Sequence, residues 1–455
     1  MKKLISTLQN IFKIEELRSK ILFTIGLLLI YRLGSYVVLP GVDPIILEKI
    51  TPASDDTGLL GLINTFAGGA FGRASIFALG IMPYISASIV VQLLGMALPE
   101  FQKMQKEGES GRNKLNQYTR FLTILITAVQ GIAFVINLKA QSLEAIVPRV
   151  GDSVALTFYI SSVFCLLAGT MLVMWLGEKI TDKGIGNGTS LIIMVGIIAR
   201  LPQALVSEIT SRLSINGGGL IPFLIEMVVW LGVIAFTILL VQGVRRIPMQ
   251  VARQIIGTKQ VTTPNGARQY LPLKVNSAGV MPIIFAQAIM FIPATLLSFL
   301  PQSNTTNLLA SAFGNYTSWG YNLLLAFLII VFTYFYTSLA VNSAQMAEDM
   351  KRNGSFVPGI KPGEPTAEHI DDVLSKITLP GALGLAIVAI LPIFAILLGV
   401  NSQFAQFFGG TSLLIIVGVV LDTLQQIESH LLMSKYDGLM KSGQIKGRNA
   451  SVVAS

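Results

Sequence analysis

Charge is scarce in this chain. Of its 455 residues, 13% are Asp, Glu, Lys or Arg, about half the share found in a soluble globular domain. Mean hydropathy is +0.67. This excludes a soluble protein and makes a count of soluble domains by length inapplicable. Cysteine occurs once, at Cys165, so no internal disulfide can form. Two histidines, His369 and His430, cannot build a metal site by themselves. There is no GxxxxGK[ST], hence no phosphate-binding P-loop. HExxH and GxSxG are missing, and no apolar run contains His, so proteolysis within a membrane lacks both a metal and a nucleophile–base pair. The run Gly184–Gly188 (GIGNG) is not GxGxxG and follows no predicted strand. No cofactor is expected, and the chain does not read as an enzyme.

What it has in abundance is long apolar runs. A membrane-spanning helix needs roughly 20 such residues. Ten stretches qualify: about 21–39, 75–98, 118–138, 153–175, 185–203, 218–242, 275–298, 319–341, 376–398 and 405–427. The fifth is short and opens in GIGNGTS, which predicts a break at that end. The pattern predicts an all-α polytopic membrane protein.

The net charge of +9 has a location. With ten spans, 26 of the 33 Lys and Arg fall on the side that holds both termini. The exceptions are Arg32, Lys49, Arg73, Lys139, Arg149, Arg200 and Arg212. Such asymmetry predicts cytoplasmic termini. The basic start runs directly into the first span with no small-residue cleavage site, which predicts a retained N-terminus. Residues 1–20 place Leu4, Leu8, Ile11 and Ile14 on one helical face, as in a helix lying on the membrane surface.

Two loops on the basic side are too long for simple connectors. Residues 243–274 alternate basic and apolar residues around Pro264-Asn265-Gly266, which predicts a protruding β-hairpin. Residues 346–376 carry VPGIKPGEPT, whose prolines and glycines predict a stiff, non-helical tip. Loops with defined turn chemistry usually bind something.

One stretch is unlike the rest. From Asn64 to Leu94 a glycine-rich segment with an Arg becomes a strong span with no loop between. Irregular backbone in a membrane is tolerated only inside protein or beside a water-filled cavity. The first half is therefore expected inside a cavity, the second as its wall. An ion-coupled transporter would keep acidic residues at mid-membrane. The candidates are few: Glu226 and Asp422 near span ends, with Arg32 expected to snorkel or pair locally. A conduit energised by a partner fits better. A secondary transporter of a small solute remains the alternative, and an insertase without a pore is a third class.

Phe66–Leu94 (FAGGAFGRASIFALGIMPYISASIVVQLL) closely resembles the SecY/Sec61 family of protein-conducting channels. So do Lys106–Arg120 (KEGESGRNKLNQYTR), Met174–Ser190 (MWLGEKITDKGIGNGTS), Leu271–Pro282, Val357–Ile370 (VPGIKPGEPTAEHI), Phe408–Asp422 and Leu432–Lys441. The resemblance covers essentially the whole chain. It implies ten transmembrane helices in two inverted pseudo-repeat halves, residues 21–203 and 218–430, with a hinge loop at 204–217, a plug helix at about 60–75 and a cytosolic tail at 431–455. It implies a channel that moves unfolded preproteins across the bacterial cytoplasmic membrane and releases apolar segments sideways into lipid.

Site residues follow by motif. The resemblance implies a pore ring of Ile81, Ile85, Thr189, Ile193, Ile284 and Ile415, since a narrow apolar constriction dewets and resists ions. Thr189 departs from the aliphatic residue usual there; its hydroxyl is expected to bond a carbonyl one turn back and leave the ring dry. The plug would include Phe66, Gly68, Gly69, Gly72 and Arg73, its glycines lowering helix stability by up to about 1 kcal/mol each and so favouring mobility. The lateral gate would use Ser86, Ser88 and Asn276. Docking for the SecA ATPase and the ribosome would use Arg245, Arg246, Lys259 and Lys361, where Lys361 replaces the family's usual Arg and loses its planar fork. Implied partners are SecE, SecG, SecA, the ribosome, signal sequences, nascent chains and lipid.

Overall fold

The computed structural model describes residues 14–50, 64–141, 143–146, 149–150, 153–154, 156–214, 219–251, 269–297 and 318–441. Its elements in order are helices α1 (Glu15–Gly34), α2 (Pro44–Ile50), α3 (Met82–Ala97), α4 (Pro99–Lys106) and α5 (Glu109–Gln141). Strands β1 (Arg149–Val150) and β2 (Ser153–Val154) precede α6 (Leu156–Lys183), α7 (Gly188–Ile198), α8 (Leu201–Leu213) and α9 (Leu220–Gln242). Strands β3 (Val244–Val251) and β4 (Gln269–Lys274) lead to α10 (Met281–Leu297), α11 (Trp319–Ala340) and α12 (Ser343–Arg352). Last come β5 (Ser355–Phe356), α13 (Glu364–Leu397), α14 (Ser402–Ala405) and α15 (Gly410–Lys441).

Each of the ten apolar stretches includes helix among the described residues, the fifth as parts of two helices. Among the described residues, seven helices are long and apolar enough to cross a membrane. An eighth forms if Met82–Gly95 and Pro99–Gln105, bent by 103°, count as one span. Met281–Met290 is a shorter apolar helix, and α1 carries Lys20 and Arg32. Of the expected surface helix at 1–20, residues 1–13 lie outside the described residues. From Glu15 onward α1 runs through Lys20 without interruption.

Side-chain caps set several starts. Asn187 accepts from the Thr189 and Ser190 amides at the start of α7. Ser318 does the same for Tyr321 at α11, Asn342 for Gln345 at α12, and Asn401 for Gln403 at α14. Each cap satisfies a helix-end N–H that has no partner in its own helix.

Two expected boundaries move. The second span begins at Met82, not at 75. Residues 67–74 and 76–81 are turns, because Val38 and Ser75 form a β-bridge and the Ile76 amide donates to the Val37 carbonyl. The fifth span is broken at both ends: residues 184–186 bend before α7, and the chain turns at Ala199–Arg200 before α8. The expected hinge loop at 204–217 is helical as far as Leu213.

The largest core cluster lies at the centre of the bundle. It gathers Tyr31 of α1, Ile85 and Ile89 of α3, Val173 of α6, Ile192 and Ile197 of α7, Ile284 of α10, Ile329 of α11, Val388 of α13 and Ile415 of α15. A second cluster packs the loop after α1 against α2, residues 74–79 and the facing ends of α5 and α6.

The expected hairpin is present. β3 and β4 pair antiparallel from Val244↔Lys274 to Met249↔Gln269. Its tip, with Lys259 and the Pro264–Gly266 turn, lies outside the described residues. A third strand was not foreseen: β5 pairs with β3 through Gln250↔Phe356 and Val251↔Ser355. The two long loops therefore form one sheet, ordered β4-β3-β5. Beneath it Ile247, Leu273, Met350, Val357, Ile370 and Leu374 make a small separate core. The tip from Val357 to Gly363 is non-helical, as its prolines and glycines predict, but α12 and α13 close in on both sides.

Candidate functional site

Five isoleucines belong to the largest buried cluster. Ile81, just ahead of α3, joins Ile85, Ile193 of α7, Ile284 of α10 and Ile415 of α15 in one buried cluster. Phe66 belongs to the same cluster. The cluster draws side chains from both halves of the chain and from the glycine-rich segment.

Thr189 sits at the edge of this cluster. Its hydroxyl donates to Asn187 Oδ1 at 2.6 Å, not to a backbone carbonyl one turn back. The reason is the cap: Asn187 already turns its carboxamide over the first turn of α7. The Thr189 methyl faces inward. A Cβ placed on Gly177 would lie 3.4 Å from Thr189 Cγ2 and 3.5 Å from the Cδ1 atoms of both Ile192 and Ile81. The threonine presents carbon towards Gly177, as Ile81 and Ile192 do, and its oxygen to its own cap.

The segment before α3 is tied down on two sides. Asn64, Thr65 and Phe66 are helical; the chain then turns. Gly68 and Gly69 have φ of +65° and +83°, a region costly for other residues. A Cβ on Gly68 would approach Gly196 Cα of α7 to 2.9 Å. These glycines answer a turn and a close approach, which revises the reading of them as devices for mobility. Arg32 Nη1 and Arg73 Nη2 both donate to the Gly68 carbonyl, at 2.9 and 3.0 Å. Both guanidiniums also stand over the Tyr36 ring. Arg32 therefore pairs locally and also reaches this segment. Gly72 N donates to Asn64 Oδ1.

On the other side, Thr65 Oγ1 donates to Gln406 Oε1 at 2.7 Å, and Arg200 Nη1 donates to Thr65 Oγ1 at 3.2 Å. Nothing in the sequence paired residues 341 positions apart.

Among the described hydrogen bonds, none made by the three polar residues expected at a gate crosses between helices. Gln92 donates to Ser88 within α3, and Asn276 donates to the Gly279 carbonyl in its own turn. Ser86, in α3, makes no hydrogen bond across to α10 or α11 among those described. The cross-helix bond is made elsewhere: the Tyr336 hydroxyl of α11 donates to Gln92 Oε1 of α3 at 2.6 Å. Phe285 of α10 packs edge-on to Tyr336, with ring centroids 4.6 Å apart. A lone Gln in an apolar span was the available signal; its partner was not readable.

Of the basic loop residues, Arg245 and Arg246 on β3 are exposed, as is Lys361 in the tip. The Lys361 carbonyl accepts from Thr366 Oγ1 at 2.8 Å, which fixes the backbone under it. Glu226, weighed above as a relay acid, is held by Arg212, which also binds Glu208.

Comparison with known proteins agrees with this architecture. The SecY family model matches residues 75–424. The chain is 40% identical over 439 residues to the protein translocase subunit SecY of Streptomyces coelicolor, covering 94% of this chain and 98% of that one. It is 40% identical over 459 residues to that of Chlamydia trachomatis, covering 97% and 100%, and 38% identical to that of Aquifex aeolicus, covering 95% and 99%. Among solved structures it resembles a protein-conducting channel at 16% identity and TM-score 0.63, covering 90% of this chain and 91% of that one. It also resembles Sec61 from a canine ribosome–channel complex at 15% identity and TM-score 0.59, with the same coverage. The chain belongs to the SecY family.

Proposed function

We propose that this chain is the pore subunit of a protein translocase, passing unfolded polypeptide across a membrane and releasing apolar segments sideways. The observation that carries the reading is the central closure. Branched apolar side chains from α3, α7, α10 and α15 share the largest buried cluster, and those helices come from both halves of the chain. Such a constriction resists ions when shut and offers an extended chain no strong hydrogen bond to hold it. Ile81, Ile85, Thr189, Ile193, Ile284 and Ile415 would form the ring. Residues 64–75 would be the plug, with Phe66 against the ring.

The lateral exit would lie where α3 faces α10 and α11. Gln92 and Tyr336 are the polar contact across it, ahead of Ser86, Ser88 and Asn276. The sheet built from both long loops would dock the motor ATPase SecA or a ribosome through Arg245, Arg246, Lys259 and Lys361. Exposed guanidiniums suit rRNA phosphates and an acidic motor surface alike. SecE and SecG would complete the complex in the bacterial cytoplasmic membrane, with both termini and the sheet on the cytoplasmic side. The half-buried pairing of Glu226 with Arg212 weighs against a relay acid and so against a small-solute transporter.

Crosslinking tests the reading. A photoreactive residue at Ile85 or Ile284 should crosslink a stalled nascent chain in the reconstituted translocase. A probe on exposed Leu231 of α9 should not. Equal labelling from all three positions, or none from the first two, would refute a central pore.

A further inference from the structure

Helix α1 begins on the side of the bundle that carries the β4-β3-β5 sheet. Thr24 Oγ1 accepts from the Ile185 amide, the neighbouring Gly186 amide donates to Gln426 of α15, and Lys274 of β4 donates to Gln425. Arg32 and Tyr36 therefore lie at the far end of the first apolar run, away from the sheet. There Arg32 and Arg73 converge on one oxygen, the Gly68 carbonyl. Their Cζ atoms stand 5.2 and 4.2 Å from the centroid of the Tyr36 ring. The other bonds described for Arg32 end on the Ser35 and Tyr36 hydroxyls, both at 3.4 Å. Arg73 Nε is buried without a hydrogen bond. Among the described residues neither arginine forms an ion pair. Two positive charges are thus brought together against neutral groups only. The Arg32 contact with the Tyr36 hydroxyl is long and exposed, which leaves that fork open to a stronger acceptor.

An apolar track leads to this pair. Leu22, Ile25, Leu29 and Leu33 of α1, and Tyr36 in the turn beyond it, follow the three- and four-residue spacing of one helical face. All five are exposed, from 48% to 71%. In a membrane-spanning helix such a face meets acyl chains. Half of a ~30 Å hydrocarbon core takes about ten residues of helix, close to the separation of Tyr36 and Ile25. An anionic head joined to an apolar tail matches both features, whereas a free anion would use the arginines and leave the track idle. Guanidinium forks fit phosphate oxygens, and tyrosine favours the level of the headgroups.

We propose that Arg32 and Arg73, with Tyr36, bind the phosphodiester headgroup of an anionic phospholipid in the leaflet opposite the sheet, its acyl chains lying along Leu33, Leu29 and Ile25. The proposal rests on α1 crossing the membrane and not on the presence of a pore.

The test uses the assembled complex in nanodiscs that carry one of two probes with a diazirine in an acyl chain: phosphatidylglycerol, or diacylglycerol, which has no phosphate. Labelling of residues 25–36 is compared with labelling of Ile221, Leu224, Ile225 and Val228, exposed at the end of α9 remote from β3, which reads bulk lipid. Each arginine at a lipid phosphate corresponds to about fivefold in occupancy. Phosphatidylglycerol should label α1 at least about fivefold above α9, and diacylglycerol should label the two alike. Arg32→Gln and Arg73→Gln should each lower the phosphatidylglycerol excess by about fivefold. Arg73→Lys, which keeps the charge without the fork, should lower it less. The comparison of the two probes needs no substitution and stands even where a variant fails to assemble. Inorganic phosphate in excess, at constant ionic strength, should leave the excess in place. The same α1-to-α9 ratio from both probes overturns the site, as does an excess unaltered in both glutamine variants. Loss of the excess to inorganic phosphate overturns the lipid as occupant in favour of a free oxyanion. Labelling of α1 below α9 by both probes means that another subunit covers the track, and overturns it too. No label in either helix refutes the membrane placement and the site with it, while a preprotein that fails to cross refutes the channel reading alone.

Discussion

The Tyr336 hydroxyl lies 2.6 Å from Gln92 Oε1 and donates to it, joining α11 to α3. Both side chains are part-buried, so the bond is not exchanged freely with water. On the proposed reading, an apolar segment leaving between these helices would break it. Tyr336→Phe keeps the ring packed on Phe285 and deletes the bond. The expected result is a gate that opens about twofold to tenfold more readily. Translocation of preproteins whose signal sequences are graded in hydrophobicity reads it: the weakest signals should gain most. A uniform loss across the series would contradict the assignment.

Thr189→Ile should leave the closed channel as tight as before. The native side chain already turns carbon towards Gly177, beside Ile81, and ties its oxygen to Asn187. Ion conductance of the resting translocase in planar bilayers should change by less than about twofold. A large drop in the isoleucine variant would mean that the threonine leaks.

Lys361→Glu should abolish SecA-driven translocation without harming membrane insertion of the protein itself. Lys361 is exposed, and its backbone is fixed through Thr366, so charge reversal changes the surface rather than the fold. Undiminished translocation by the variant would remove the tip from the docking surface.

Arg212→Gln should be costly to stability. Arg212 holds Glu208, which is fully buried and also accepts from the Asn401 amide, and it bonds Glu226 and the Gly399 carbonyl. Removing the cation leaves the buried Glu208 carboxylate uncompensated, a loss of about 3–5 kcal/mol. The melting temperature of the purified complex in detergent should fall. Double replacement with Glu208→Gln should recover part of the loss.

Leu374→Ala should uncouple the two long loops. Leu374 sits in the small core under the β4-β3-β5 sheet, and a large-to-small change there costs about 2–5 kcal/mol. Hydrogen exchange should accelerate in both β3 and β5 while the apolar helices stay protected.

The sequence announces its helices because each is a long apolar run, and it announces the hairpin because basic and apolar residues alternate around a turn. Ile81, Ile85, Ile193, Ile284 and Ile415 could be named because family motifs surround them; any one alone reads as helix packing. Thr65, Gln92, Tyr336 and Gln406 could not, since nothing local distinguishes a Gln that crosses to another helix from one that stays on its own. Ser86, Ser88 and Asn276 were the more conspicuous polar residues, yet the bonds described for Ser88 and Asn276 stay within their own segments. The β3–β5 pairing links residues about a hundred positions apart and leaves no periodic trace.

Helix α13 gives the molecule a lever. Its 34 residues span about 50 Å at the ordinary helical rise. Ile370 and Leu374 at one end belong to the small core under the sheet. Near the other end, Leu391 and Pro392 press on Gly409, where an added Cβ would lie 2.8 Å from Leu391 Cβ. Pro380 and Pro392 each remove a backbone donor along the way, which gives the shaft two places to flex. The sheet and the loop that carries Gln406 thus sit at opposite ends of one jointed helix.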